Sequence, residues 1–408
     1  MKVKQSRSIM FAPALAAAAV SATTVAYYNL ISPVSLHHHE HPADIEITDP
    51  RSGTISRKSL VDYVLEECPS LSSAFHSTPF LFNGHLQTIF AALNSRGSKT
   101  INLKYDREIL NMPDGGQVSL DWSHPDSAED STPLLMVLHG VSGGSGESYV
   151  MELVSKLIKP PYNYRTVVFN YRGCARTELL TPQLYNAGWT GDLELVVAHV
   201  QKLYPKAPLM AIGYSLGANL LVKYLGELGD KAPFVAGISV ANPFDLFTSS
   251  RNLNHSFMGK HFYSPVMSSN LVRNVKRFKN ILGQHTGGLD VELILKARSL
   301  HEFDSLCTSK AFGYSTADEY YRLNSSVLFL PKVRVPLLCL NAQDDPVAPE
   351  IAYAECKSNP YVILATTKLG GHIGWYTGIA NPKRWCTDPL AEFCQAMFQT
   401  SKHMTTQS

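Results

Sequence analysis

Two stretches of the chain set a serine between glycines in the order G-x-S-x-G: Gly213-Tyr214-Ser215-Leu216-Gly217 and Gly140-Val141-Ser142-Gly143-Gly144. A serine hydroxyl becomes a nucleophile where a base takes its proton and a sharp turn lifts it clear of the backbone. The first stretch has that setting. It follows the apolar run Pro208-Leu209-Met210-Ala211-Ile212 and precedes residues 218–225, which read as a helix. Strand, turn and helix together predict a nucleophile elbow at Ser215. The second stretch follows a strand but has no helical pattern behind it. Its predicted use is different: His139-Gly140-Val141 ends an apolar run, and such a loop offers a backbone N–H to the oxyanion that forms in acyl transfer. Val141 is the first donor on this reading, with Ser142 as the neighbouring alternative. Leu216, the residue after the nucleophile, is the second donor.

A nucleophilic serine needs a base and an acid that orients it, and in an elbow-type site the chain order is Ser, acid, His. After the apolar run Pro336-Leu337-Leu338-Cys339-Leu340 come Asn341-Ala342-Gln343-Asp344-Asp345-Pro346. An acid at the end of a late strand can hold an imidazole in one tautomer and stabilise its cation. Only one of the two aspartates can point at it. Asp345 has the spacing expected of the acid, and Asp344 is the alternative, otherwise holding the turn. The base is expected at His372, within Gly370-Gly371-His372-Ile373-Gly374, where glycines on both sides let a loop bring the ring back over Ser215. The His285 and Asp290 pair makes an H-x-x-x-x-D pattern that reads as incidental.

These residues need a scaffold that presents strand ends side by side. From Pro133 the chain alternates short apolar runs with helix-period stretches, which predicts a mostly parallel sheet covered by helices. The strand candidates are residues 133–138, 165–169, 208–212, 234–240, 336–340 and 362–366. Residues 107–111 and 118–122 flank Pro113-Asp114-Gly115-Gly116 and read as an antiparallel hairpin. Between the fourth and fifth candidates lie about ninety residues rich in large apolar side chains, among them Phe257, Phe262 and Met267. A helical cap over residues 244–332 is expected there, inserted before the strand that carries the acid.

Composition limits the partners. Hydrophobic residues make up 45% of 408 and charged ones 17%, which excludes a disordered or fibrous chain. Lys and Arg exceed Asp and Glu by only 36 to 34 with no long basic run, so no nucleic-acid partner is expected. The seven cysteines lack C-x-x-C spacing and are odd in number, which argues for buried thiols over a zinc site or a disulfide framework. No metal or other cofactor is expected, since the Ser, Asp and His set needs none.

The N-terminus differs from the rest. Lys2, Lys4 and Arg7 precede a charge-free stretch, residues 9–31, and the first acid of the chain is Glu40. As a helix this stretch would rise about 34 Å, against a hydrocarbon core of roughly 30 Å. A retained signal-anchor at the endoplasmic reticulum or a lipid droplet is the expectation; a cleaved signal peptide and a mitochondrial presequence are the alternatives. Residues 1–45 are thus read as anchor and linker, with His37, His38, His39 and His41 in the linker, and residues 46–408 as one catalytic domain.

Several stretches together resemble the α/β-hydrolase superfamily, in the subfamily of the fungal medium-chain fatty acid ethyl ester synthase/esterases and related membrane-anchored hydrolases. They are Pro79-Phe80-Leu81-Phe82-Asn83-Gly84-His85-Leu86-Gln87-Thr88, Asn170-Tyr171-Arg172-Gly173-Cys174, Glu302-Phe303-Asp304, Asn341-Ala342-Gln343-Asp344-Asp345-Pro346 and Gly370-Gly371-His372-Ile373-Gly374. The resemblance implies an α/β-hydrolase fold and a serine esterase or alcohol acyltransferase acting on medium-chain acyl esters. Ser215, one of the paired aspartates and His372 would form its relay, water or an alcohol would be its acceptor, and it would associate with a membrane. A phospholipase or monoacylglycerol lipase would use the same residues, and a catalytically silent binding protein is the non-enzyme alternative.

Overall fold

A computed structural model describes residues 30–48, 54–95 and 101–400. Nearly all of the charge-free N-terminal stretch therefore lies outside the described residues. Among those described, no helix is long and apolar enough to cross a membrane.

The centre is a sheet of nine strands. In chain order these are β1 (Ser35–His38), β2 (Asp106–Asn111), β3 (Gln117–Ser123), β4 (Leu134–Leu138), β5 (Arg165–Asn170), β6 (Leu209–Tyr214), β7 (Ala236–Val240), β8 (Leu337–Ala342) and β9 (Val362–Thr367). Their spatial order is β1-β9-β8-β7-β6-β4-β5-β3-β2. The six from β9 to β5 run parallel, and β1, β3 and β2 are antiparallel to their neighbours. Every strand candidate in the sequence falls on one of these. The parallel strands are buried along their whole length, as a sheet covered on both faces requires. Along β6 the side chains alternate between two cores, Met210, Ile212 and Tyr214 in one and Leu209 and Ala211 in the other.

The helices that cover the sheet or reach the strand ends are α1 (Leu60–Glu67), α2 (Gly84–Leu93), α3 (Ser148–Leu157), α4 (Gly191–Leu203), α5 (Leu216–Leu228), α6 (Leu246–His255), α7 (Ser264–Arg277), α8 (Ala317–Asn324) and α9 (Thr387–Phe398). α6, α7 and α8 lie in the interval expected to form a cap. That interval has a small core of its own, in which Leu271, Val275, Phe278 and Phe303 meet Leu179 and Leu184 from the β5–α4 connection.

The stretch expected to be linker is built into the fold. Ile31–Pro33 pairs with Ala74–His76, and β1 pairs antiparallel with β9. His37 belongs to this edge, its Nε2 3.0 Å from the Thr366 hydroxyl. A short, polar strand is what a sheet edge favours, and its histidines hide it from an apolar-run reading.

Candidate active site

Ser215 sits between the last residue of β6 and the first of α5, with φ 53° and ψ −117°. Its amide donates to the Val240 carbonyl at the end of β7, 2.9 Å away. Such a turn tolerates no bulk beside it. A Cβ on Gly213 would come within 2.2 Å of the Gly217 carbonyl oxygen, and one on Gly217 within 2.5 Å of the Leu138 carbonyl oxygen. The two glycines thus let the nucleophile's helix press against the end of β4.

His372 arrives from the loop after β9. The Ser215 hydroxyl donates to His372 Nε2 at 2.8 Å, and His372 Nδ1 donates to Asp345 Oδ2 at 2.7 Å. Asp345 comes from the loop after β8, is buried, and uses its other oxygen to accept the amides of Val347 and Ala348 at 2.8 and 2.9 Å. These two bonds fix the carboxylate in place. The sequence-expected serine, histidine and Asp345 therefore meet in one hydrogen-bonded line. Asp344 does not join it. Its Oδ1 accepts the Gly371 amide at 2.9 Å, and burial raises its carboxyl to about 6.

The loop after β4 is held by tyrosines that sequence reasoning missed. The Gly140 amide donates to the Tyr149 hydroxyl at 2.9 Å and the Ser142 amide to the Tyr185 hydroxyl at 2.8 Å. Tyr171 donates from its hydroxyl to the His139 carbonyl at 2.9 Å. Ser142, the alternative donor, thus has its amide committed to Tyr185. Among the described residues the amides of Val141 and Leu216 have no protein acceptor, and both residues line the same pocket as Ser215. Leu216 opens α5, so the positive end of the helix dipole faces this point. His139, fully buried, is held near 4, so a neutral ring lies beneath the loop.

α2 carries the other missed residues. The Thr88 hydroxyl donates to the Gly84 carbonyl at 2.6 Å and accepts the His372 amide at 2.9 Å. Gln87 Oε1 accepts the Tyr376 amide at 2.8 Å. A Cβ on Gly84 would lie 1.9 Å from the Asp344 carbonyl oxygen, so only glycine lets α2 touch the acid loop. The helix thereby braces both loops that converge on Ser215. Neighbouring sequence carries no signal of these roles, because the partners of Gln87 and Thr88 lie almost three hundred residues further along the chain.

The pocket at Ser215 is walled mainly by the interval between β7 and β8, through Leu246, Leu253, Met267, Leu271, Val275 and Phe303. One wall is polar: the buried Asp304 carboxylate accepts the hydroxyls of Thr308 and Tyr321 at 2.5 and 2.6 Å. His285 and Asp290 stay apart from it; His285 Nε2 lies 3.2 Å from the Ala311 carbonyl, and Asp290 caps a short helix by accepting the Leu293 amide.

A family model described as the alpha/beta hydrolase fold matches residues 133–374. The chain belongs to the α/β hydrolases. The matched span of this hydrolase contains Ser215, Asp345 and His372. It is 34% identical over 402 residues to a monoacylglycerol lipase of Saccharomyces cerevisiae, covering 87% of this chain and 89% of that one. It is 33% identical to the human phospholipase ABHD3, over 84% of this chain and 83% of the relative. The medium-chain fatty acid ethyl ester synthase/esterase 2 of the same yeast is 30% identical, over 78% and 85%.

Proposed function

We propose that this α/β hydrolase cleaves and exchanges medium-chain acyl esters through an acyl-enzyme on Ser215. The observation that carries the reading is the Ser215–His372–Asp345 line at the end of an apolar pocket. In the first half-reaction His372 Nε2 takes the hydroxyl proton as Oγ attacks the ester carbonyl carbon. The carbonyl oxygen becomes an oxyanion beside the Val141 and Leu216 amides, donors of a kind worth roughly 2.7–4 kcal/mol each to the transition state. The tetrahedral adduct collapses, the C–O bond to the alcohol breaks, and the imidazolium gives its proton to the departing oxygen. Asp345 stabilises that cation without taking its proton. Water or a second alcohol then attacks the acyl-enzyme by the same route in reverse, giving acid or new ester. Both outcomes use the same residues, and the acceptor decides between them.

The relatives favour a second reading with the same chemistry on a larger lipid, as a monoacylglycerol lipase or a phospholipase. Profiling the wild-type protein and Ser215→Ala on esters of graded chain length, monoacylglycerols and phospholipids separates the two. Medium-chain simple esters as preferred substrates support the first reading; preference for an intact glycerolipid replaces it with the second. Equal labelling of both proteins by a fluorophosphonate would overturn the assignment of the nucleophile, and labelling of neither would leave a binding protein. The basic N-terminus and the charge-free stretch behind it support a protein held at a lipid surface, in the endoplasmic reticulum, on lipid droplets or, alternatively, in mitochondria.

A further inference from the structure

We infer that the face formed by the start of α2 and the π-helical turn Gly259–Tyr263 before α7 is a docking surface for an anionic lipid bilayer. Single exposed apolar side chains are ordinary on a protein surface, so their grouping is what matters. Here Phe80, Phe82 and Ile379 stand exposed on the body, and Phe257, Phe262 and Val266 on the cap. Contacts join the two groups. His85, on α2 just after Phe82, bonds through Nδ1 to the Tyr263 hydroxyl at 2.8 Å and stacks on its ring. Phe257 lies 6.4 Å from Phe262, centroid to centroid. Ile379 follows Gly378, whose carbonyl accepts the Thr78 hydroxyl two residues before Phe80. Beneath the rim, Ile89 and Met258 pack with Leu253, Met267 and Val347, and these last three also line the Ser215 pocket. The apolar rim is therefore continuous with the pocket wall.

Two further observations commit the surface to a charged bilayer. Between Leu246 and Leu289 the cap has six Lys and Arg and no Asp or Glu. Phe262, Val266, Arg273 and Lys276 are exposed at helical spacing, so one face passes from apolar to basic. Apolar side chains beside basic ones suit insertion below anionic headgroups. The second observation is where the leader joins. The Ser77 amide donates to the Leu30 carbonyl at 2.9 Å, and Ile31–Pro33 pairs with Ala74–His76. The 29 residues before Leu30, most of them uncharged, thus reach the body three positions from Phe80. A second copy of the chain would not explain a leader delivered at the same rim.

The test uses the full chain in a Ser215→Ala background, so that docking is read independently of ester turnover. All seven native thiols are buried, so a cysteine introduced on the surface is labelled selectively. An environment-sensitive dye is placed at Phe257→Cys, at Ile379→Cys and, as control, at Lys206→Cys. With phosphatidylserine vesicles carrying a nitroxide lipid, the first two are expected to be quenched severalfold more than the control, and less so without the anionic lipid. Equal quenching at all three positions overturns the proposal, as does protection of the rim dyes by protein concentration alone, which would make it a contact between copies. In the active enzyme, Phe257→Ser with Phe262→Ser is expected to cut turnover of a vesicle-borne ester about tenfold while sparing a short soluble ester. Unchanged vesicle turnover would also overturn it. Rim dyes that quench while the wild-type protein cleaves no ester would keep this surface and reject the proposed reaction.

Discussion

At Ser215 reactivity depends on one proton and on where it goes. Ser215→Ala is expected to lower turnover of a medium-chain ester by on the order of a millionfold with the fold intact, checked by active-site-titrated kinetics and circular dichroism. Asp345→Asn should cost about ten-thousandfold, because an amide no longer enforces the tautomer in which Nε2 accepts from Ser215. Asp344→Asn keeps a carbonyl oxygen for the Gly371 amide and should cost less than about tenfold. The same assay on both variants therefore separates two adjacent aspartates that local sequence leaves as alternatives. Spacing narrowed the choice; only the directions of the two side chains, one toward His372 and one toward Gly371, divide the roles. Tyr185→Phe removes the acceptor of the Ser142 amide and leaves the loop one bond looser. A fall in kcat of about tenfold with KM held is expected, since the loop serves the oxyanion more than the bound ester.

At the scale of elements, α2 is the brace. Thr88→Val removes the acceptor of the His372 amide and should lower kcat about tenfold, with Thr88→Ser restoring it. Gly84→Ala forces α2 away from the Asp344 backbone, and a lower melting temperature is expected together with lost activity, read by calorimetry and by the ester assay. The strands were legible because a parallel strand buried on both faces is a continuous apolar run, as Leu134–Leu138 and Leu337–Leu340 are. The elbow was legible because its glycines, strand and helix are neighbours in sequence. What stayed hidden was non-local: the hydroxyls of Tyr149 and Tyr185 that hold the loop after β4, and Thr88 at the His372 amide. A polar side chain inside a helix gives no sign of a distant partner.

The whole molecule has a pH dependence set partly in the cap. Burial raises the Asp304 carboxyl from its ordinary 3.8 to about 6, although Thr308 and Tyr321 donate to it. Between those values the folded chain keeps a proton that the unfolded chain has released. Stability therefore falls as pH rises through this window, and the loss is complete above about 6. Asp344 shifts in the same direction for the same first cause. Asp304→Asn should flatten the dependence only in part, seen as a smaller change in urea midpoint between acid and neutral pH than in the wild-type protein. That residues 244–332 interrupt the strands with helices and apolar side chains was legible from composition and from the broken rhythm of strands. The buried acid there was not, because Glu302-Phe303-Asp304 carries no local mark of burial.

The edge strand β1 bears on how far the chain can be shortened. Ser32 Oγ accepts the Lys368 amide at 2.5 Å, and β1 covers β9 just before the run that ends in His372. A soluble version trimmed at residue 46 would lose both, baring the backbone of β9 to pair with other molecules. Trimming that stops before Leu30 removes only residues 1–29 and keeps this clasp, so the two truncations should differ sharply in solubility and yield.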